Sequence, residues 1–180
     1  GAAYVTGQTT STAAFPVTDG SAQTRYGGNV ANAPTRLGDA FVVKVNPAGS
    51  RFDYGTYLGG SGDDAGFSIA VDGQGNAHIA GTTNSANFPT TSSAPQTRYG
   101  GSGRHVVFPA GDAFAAKLNS SGTTLMYSTY LGGSQDDWGM ALALDRSGNA
   151  WLTGATLSPD FPVSSDATQK TFKGDRKSVV

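Results

Sequence analysis

The chain has 180 residues, of which 26 are glycine and 14% are charged, and its formal net charge is −1. This balance excludes the basic surface that a nucleic acid or an anionic membrane requires. The absence of cysteine excludes a disulfide framework and thiolate chemistry, and no apolar run approaches the ~20 residues of a membrane span.

Gly1–Gly174 repeat one pattern about two and a half times. The motif GDAF at Gly38–Phe41 returns 73 residues later at Gly111–Phe114. TYLGGSGDDAG at Thr56–Gly66 returns with the same spacing as TYLGGSQDDWG, and QTRYGG at Gln23–Gly28 returns at Gln96–Gly101. A fixed period of this length indicates stacked supersecondary units.

Each repeat contains four runs that read as strands, and the chain enters at the second of them. In chain order, the first copy holds a strand in AAYVTGQT, a long polar loop, a strand in DAFVVKVN and a strand ending in TYLGG. The second copy supplies all four strands, and the third supplies two. The predicted strands of the two later copies are Phe67–Asp72, Asn76–Thr83, Asp112–Asn119, Thr123–Gly133, Met140–Asp145 and Asn149–Thr156.

Four antiparallel strands per long repeat predict an all-β fold, namely a partial β-propeller made of four-stranded blades. A β-solenoid is the alternative, but its repeats are much shorter and lack two hairpins each. The predicted divisions are an incomplete blade at residues 1–65, a complete blade at 66–138 and the start of a further blade at 139–174.

The last six residues, Asp175–Val180, break the repeat. They match the translation of a common sequencing-adapter start, so we interpret them as an artefact that makes no specific contacts, with a genuine divergent loop as the alternative.

In a four-stranded meander, the loops after strands two and four emerge on the same side. The loop after strand four is the short acidic segment at Ser61–Gly66 and Ser134–Gly139, which we call the GDD loop in both copies. The long polar loop and the GDD loop are therefore expected to share one face, where function usually lies.

The combined pattern YSTYLGGSQDDWGMALALDRSGNAWLTG (Tyr127–Gly154), followed by DFP, together with DAF…KLN, resembles the SBBP family of bacterial β-propeller repeats. The resemblance covers nearly all of Gly1–Gly174 and implies a large, multi-repeat, exported or surface-attached protein. It implies no catalytic residues. The insertions Asn29–Leu37 and Ser102–Ala110, which precede GDAF, depart from the compact form of the repeat.

Adjacent carboxylates recur in the GDD loop, and they are candidate Ca²⁺ ligands. The candidates are Asp63, Asp64, Asp136 and Asp137. Two carboxylates fall short of the six to eight oxygens that Ca²⁺ takes. The alternative is that these side chains accept backbone N–H bonds and hold the turn between blades. No metal or other cofactor is otherwise expected.

The long loop offers a cation beside an aromatic ring, which suits a glycan or a peptide. The candidates are Arg25 with Tyr26, and Arg98 with Tyr99, and Trp138 joins them on the same face. The alternative is that the arginines pair with the neighbouring Asp loop and the tyrosines pack the loop base.

Catalytic and metal motifs find no support in the sequence. His78 aligns with Tyr4 and Trp151, so a planar side chain that fills space in the core explains all three. His105 stands alone in a variable loop. No nucleophile-elbow spacing is present.

We therefore expect a non-enzymatic fragment of an extracellular or cell-surface bacterial protein that acts as a scaffold or as a binding and adhesion module. Its expected partners are a glycan or protein ligand on the long-loop side and the remaining blades of the same chain, with no nucleic acid. The alternative is part of a propeller hydrolase or lyase whose active site lies in blades absent here.

Overall fold

A computed structural model of the chain describes residues 1–28, 38–101 and 111–174 in full, and the backbone of Ser178–Val179. The insertions Asn29–Leu37 and Ser102–Ala110, and with them His105, lie outside the described residues. The described part of the chain is all-β, with ten strands in three antiparallel sheets and no helix. The predicted fold class, a partial β-propeller, is confirmed.

The strands fall into the three sheets in sequence order. The first sheet contains β1 (Ala3–Thr9), β2 (Asp39–Val45) and β3 (Phe52–Leu58). The central sheet contains β4 (Asp64–Val71), β5 (Ala77–Thr83), β6 (Asp112–Leu118) and β7 (Leu125–Leu131). The third sheet contains β8 (Asp137–Leu144), β9 (Ala150–Thr156) and β10 (Ser178–Val179).

Tight turns join the strands at the edge opposite the long loop. Between β4 and β5, the Asp72 carboxylate accepts the backbone N–H groups of Gln74 and Asn76, at 3.0 and 2.9 Å. Gly75 completes this turn with a φ of +83°, a conformation in which a side chain would be strained. Local side-chain bonds of this kind explain why the hairpins could be placed from sequence.

The first strands of the central and third sheets begin earlier than the sequence predicted. β4 starts at Asp64 rather than Phe67, and β8 starts at Asp137 rather than Met140. The added residues pair with the C-terminal end of the next strand, Asp64 opposite Thr83 and Asp137 opposite Thr156. A register shift between Gly66 and Ser68 interrupts the alternation that the sequence displays, which hid the earlier start.

The sheets stack face to face, and the largest part of the core lies between the first and the central sheets. Its buried side chains come from both sheets and from the long loop: Ala40, Val42, Tyr54, Leu58, Ala77, Ile79, Phe88, Phe114, Ala116, Leu118 and Tyr130. The central sheet is thus covered by the first sheet on one side and, through β8, by the third sheet on the other.

The C-terminal segment corrects one expectation. Asp175–Val180 was expected to make no specific contacts, yet Ser178 pairs with Ala155 and Val179 pairs with Gly154. These two residues take the positions that Ala113 and Phe114 hold beside β5. The backbone of β9 offers an unpaired strand edge, and two extended residues satisfy its hydrogen bonds whatever their side chains are.

Candidate functional site

The long loop and the GDD loop meet on one face of the stack, as the sequence predicted. The backbone N–H of Asp64 donates to the Gly38 carbonyl at 2.7 Å, and the Gly38 N–H donates to Asp63 Oδ1 at 3.2 Å. In the next repeat, the Asp137 N–H donates to the Gly111 carbonyl at 2.6 Å. We call this edge of the molecule, which carries residues 21–28, 59–63, 94–101 and 132–136, the long-loop face.

A buried aspartate at the start of β2, which is the third strand of the repeat, holds the long loop in place. Asp39 Oδ2 accepts the Gly27 backbone N–H at 2.8 Å and the Gln23 side-chain amide at 3.3 Å. Gln23 Oε1 in turn accepts the Gly59 N–H at 3.0 Å, which ties the long loop to the end of β3. The sequence reasoning missed this role, although GDAF and QTRYGG repeat with the same spacing.

The same network recurs in the next repeat. Asp112 Oδ2 accepts the Gly100 N–H at 2.8 Å and the Gln96 side-chain amide at 3.3 Å, and Gln96 Oε1 accepts the Gly132 N–H at 3.1 Å.

The second aspartate of each GDD loop joins one sheet to the next. Asp64 Oδ2 accepts the Gly60 N–H at 2.8 Å and the Ser85 hydroxyl at 2.9 Å, and its other oxygen accepts the Thr83 hydroxyl. Asp137 Oδ2 accepts the Gly133 N–H and the Ser158 hydroxyl, both at 2.8 Å. These bonds correspond to the turn-holding alternative of the sequence analysis.

The two kinds of aspartate form a carboxylate pair at each junction, Asp39 with Asp64 and Asp112 with Asp137. A Cβ placed on Gly59 would lie 2.7 Å from Asp64 Oδ2 and 2.8 Å from the carboxyl carbon of Asp39. Gly132 occupies the same place between Asp112 and Asp137. All four carboxylates have no solvent exposure.

Burial is the main electrostatic influence on these pairs, because it disfavours the charged form. It raises the pKa of Asp39 to about 6 and those of Asp64 and Asp112 to about 7, against an ordinary 3.8. The charge of the partner aspartate raises the pKa values of Asp64 and Asp112 further, while hydrogen bonds from backbone and side-chain donors oppose the shift.

The hydrogen bonds of Asp64 and Asp137 bear on their role as candidate Ca²⁺ ligands. The inner oxygens of Asp64 and Asp137 face N–H and O–H donors, whose positive ends occupy the positions that a cation would take. Within residues 1–28, 38–101 and 111–174, no three His, Cys, Asp or Glu side chains are grouped so that they could hold a metal ion. Calcium binding stays a prediction.

A family model described as an SBBP β-propeller repeat matches residues 53–89 and 127–162. Both segments are therefore SBBP β-propeller repeats. Each matched segment runs from the last strand of one sheet through the first two strands of the next, so it contains the GDD loop and the junction between sheets. No curated protein matches the chain significantly.

In both SBBP repeats, the tyrosine and the arginine of the predicted Arg–Tyr site differ in their exposure to solvent. Tyr26 packs edge-on against Tyr57 with ring centroids 5.8 Å apart, and Tyr99 packs against Tyr130 at 5.9 Å. Arg25 and Arg98 are exposed on the loop surface. The tyrosines therefore follow the packing alternative, while the arginines remain available to solvent.

Trp138 lies at the junction of the central and third sheets. It is half-buried and lines a cavity of about 110 Å³ together with Leu131 and Phe161. The structure thus brings Trp138 near the long-loop face as an inter-sheet side chain.

One polar cluster contains a histidine that the other repeats lack. His78 is 1% exposed, and its Nδ1 lies 3.1 Å from the Tyr127 hydroxyl. Its Nε2 lies 3.5 Å from Asp72 Oδ2, which also binds Lys117 Nζ at 2.9 Å. Burial and the Lys117 charge lower the pKa of His78, so the imidazole is neutral at pH 7. Tyr4 and Trp151 replace the histidine in the other copies, whereas Asp72, Lys117 and Tyr127 recur as Asp145, Lys44 and Tyr54.

Within the described residues, no helix has the length and apolar character needed to cross a bilayer.

Proposed function

We propose that the chain is a scaffold and binding module of an extracellular or cell-surface bacterial β-propeller protein, with a role in adhesion. In this proposal the long-loop face presents Arg25 and Arg98 to a glycan or to a protein ligand. Further blades of the same protein are its other proposed partners.

One observation carries the proposal: each exposed arginine belongs to a loop whose backbone is held by hydrogen bonds from a glutamine side chain of the same loop. The Gln23 side-chain amide donates to the Arg25 carbonyl at 2.9 Å, and the Gln96 amide donates to the Arg98 carbonyl at 3.2 Å. A loop whose backbone is already fixed loses less conformational entropy on binding than a mobile loop, and repeating the cation along a stack favours a polymeric ligand.

The enzyme alternative would rest on His78, which has no counterpart histidine in the other repeats. That imidazole is enclosed between the central and third sheets, where its neighbours are side chains of the same chain. An ion-pair network that fills a sheet junction is the simpler account, so the proposal assigns no catalysis to this chain.

Binding by the two arginines is tested on a panel of immobilised neutral and acidic oligosaccharides. The Arg25→Ala, Arg98→Ala double variant is expected to bind at least about tenfold more weakly than the unmodified chain, because each charged hydrogen bond contributes about 1.5–3 kcal/mol. The matched control is Arg51→Ala, which removes an exposed arginine from the tight-turn edge and should not change binding. Equal losses for both variants, or no retention by any oligosaccharide, would contradict the glycan role.

We also propose that the module needs no cofactor. A calorimetric Ca²⁺ titration of the whole chain should give no heat of binding, and added Ca²⁺ should not shift the melting temperature. A saturable heat that disappears in Asp137→Asn would overturn this part of the proposal and restore the calcium hypothesis.

A further inference from the structure

Each outer side of the stack has an exposed region that carries large apolar side chains. Alternation along β1 directs Tyr4 toward the central sheet, where its hydroxyl donates to the Gly75 carbonyl, and directs Val5 the opposite way. Val5 is 44% exposed and Phe52, on the same outer side, is 50% exposed. At the other end of the stack, Trp151 on β9 is 67% exposed. Large exposed side chains grouped on a sheet face indicate an interaction surface.

The repeat shows what covers such a face. His78 and Trp151 stand at equivalent positions of β5 and β9, yet His78 is almost fully buried, because β8 packs over the central sheet. The contact is specific: the Leu142 backbone N–H donates to Ser68 Oγ at 3.0 Å. The outer side of the third sheet is therefore the counterpart of a face that, one repeat earlier, is covered by another sheet of the same kind.

The opposite end of the stack supplies the complementary face. In the central sheet, the side bearing Ile79 and Phe114 is covered by the first sheet. Gly81 and Phe114 align with Gly7 and Phe41, so the outer side of the first sheet is the counterpart of that face. Phe15 of the long loop packs on Phe41 there, but in the described part of the chain no sheet covers the region around Val5 and Phe52. The outer sides of the third and first sheets are thus equivalent to the two surfaces that meet at each junction between sheets inside the molecule.

From this complementarity we propose that the outer side of the third sheet, around Trp151, binds the outer side of the first sheet, around Val5 and Phe52, of a second copy of this chain. The contact continues the internal stacking from one copy to the next. It joins two different surfaces, so each added copy leaves one free face at each end of the assembly. A symmetric contact of Trp151 with Trp151 has no counterpart inside the molecule.

The test uses two variants of the whole chain that each block one face, Trp151→Glu and Val5→Glu. Mass is measured by sedimentation velocity and light scattering from about 1 to 100 μM. We expect the mass of the unmodified chain to rise with concentration, as an open series or as a closed ring. Each variant alone should remain monomeric, because its remaining face finds no complement.

An equimolar mixture of the two variants distinguishes this arrangement from a symmetric one. The intact Trp151 face of one variant can bind the intact Val5 face of the other, so the mixture should form a dimer and nothing larger. Met126→Glu is the matched control, since Met126 is 52% exposed on β7 of the central sheet and belongs to neither face. It should associate like the unmodified chain.

Several results would overturn the proposal. These are a monomeric unmodified chain at 100 μM, association of either variant alone, or a mixture that stays monomeric. Circular dichroism and melting of each variant show whether the fold is kept. If one variant does not fold, Thr153→Glu on the β9 side or Phe52→Glu on the β3 side replaces it in the same mixing experiment.

Discussion

Gly59 and Gly132 occupy the space between two carboxyl groups at the junctions of the sheets. The absence of a side chain there lets β2 approach β4, and β6 approach β8, closely enough to share a hydrogen-bond network. The requirement is steric, since neither glycine has a positive φ.

Gly59→Ala is therefore expected to destabilise the chain by about 1–3 kcal/mol, because the added methyl group overpacks a closed site. Urea denaturation followed by fluorescence measures the change. The control is Gly73→Ala, where a Cβ meets nothing within 4 Å, and its effect should stay within about 0.5 kcal/mol. Equal stabilities of the two variants would show that the carboxylates move aside freely.

The carboxylate pairs predict an unusual dependence of stability on pH. The folded-state pKa of Asp39 is about 6 and that of Asp112 is about 7, both above the ordinary 3.8. The folded state therefore binds protons more tightly than the unfolded chain, and its stability is highest below about pH 4 with respect to these groups. It falls as the pH rises through 6 to 7, by about 1.4 kcal/mol for each unit of pKa difference.

Urea midpoints measured between pH 4 and pH 8 check this dependence, and Asp112→Asn should flatten the curve. Asp19→Asn removes an exposed aspartate instead and should leave the shape of the curve unchanged. A stability that rises from pH 4 to pH 8 in the unmodified chain would contradict the assignment.

At the scale of the strands, the tight-turn edge offers a test of sheet-to-sheet contact. Gly49 and Gly122 are equivalent residues in the hairpins β2–β3 and β6–β7, with φ values of +68° and +75°. A Cβ on Gly49 would meet nothing within 4 Å, whereas a Cβ on Gly122 would lie 2.4 Å from the Tyr54 ring of the first sheet.

Both alanine substitutions carry the same backbone strain, of order 1–3 kcal/mol. Gly122→Ala is expected to cost about 1–3 kcal/mol more, because its methyl group also displaces the Tyr54 ring. Chemical denaturation of both variants gives the difference directly. Equal losses would mean that the turn moves independently of the first sheet.

The strands that local patterns mark were predictable from sequence, and those that depend on distant partners were not. β5 and β6 could be placed because alternation and flanking turns lie within a few residues of each strand. The start of β4 at Asp64 was missed because acidic residues are depleted in strands, and only the donors Thr83 and Ser85 make this aspartate acceptable there.

The candidate site divides in the same way. The meeting of the long loop with the GDD loop followed from strand order alone. The pairing of Asp39 with Asp64 needed three-dimensional packing, since 25 residues and one full strand separate them.

On the scale of the whole molecule, the stack is expected to be unequally stable. The central sheet is covered on both sides, and every residue of β5 is buried. In the third sheet, β9 has a long partner on one side only, because β10 contributes two residue pairs. In stacked repeats, stability comes from each unit and from its neighbours.

Hydrogen exchange followed by mass spectrometry should therefore rank the central sheet slowest, the first sheet next and the third sheet fastest. At low concentration, where the outer faces are free, β8 and β9 should exchange at least about tenfold faster than β5 and β6. Uniform exchange across the three sheets would show that the chain opens as one unit.

The carboxylate pairs also bear on how such a chain can lengthen during evolution. One aspartate of each pair comes from the third strand of a repeat (β2 or β6) and the other from the first strand of the next repeat (β4 or β8). A gene duplication that inserts one whole period, wherever the crossover falls, regenerates a complete junction with both acids and the glycine between them. A duplication of part of a period can instead copy one acid without its partner and leave it buried without the shared network. Unequal recombination at full periods is thus a change in length that keeps every junction complete.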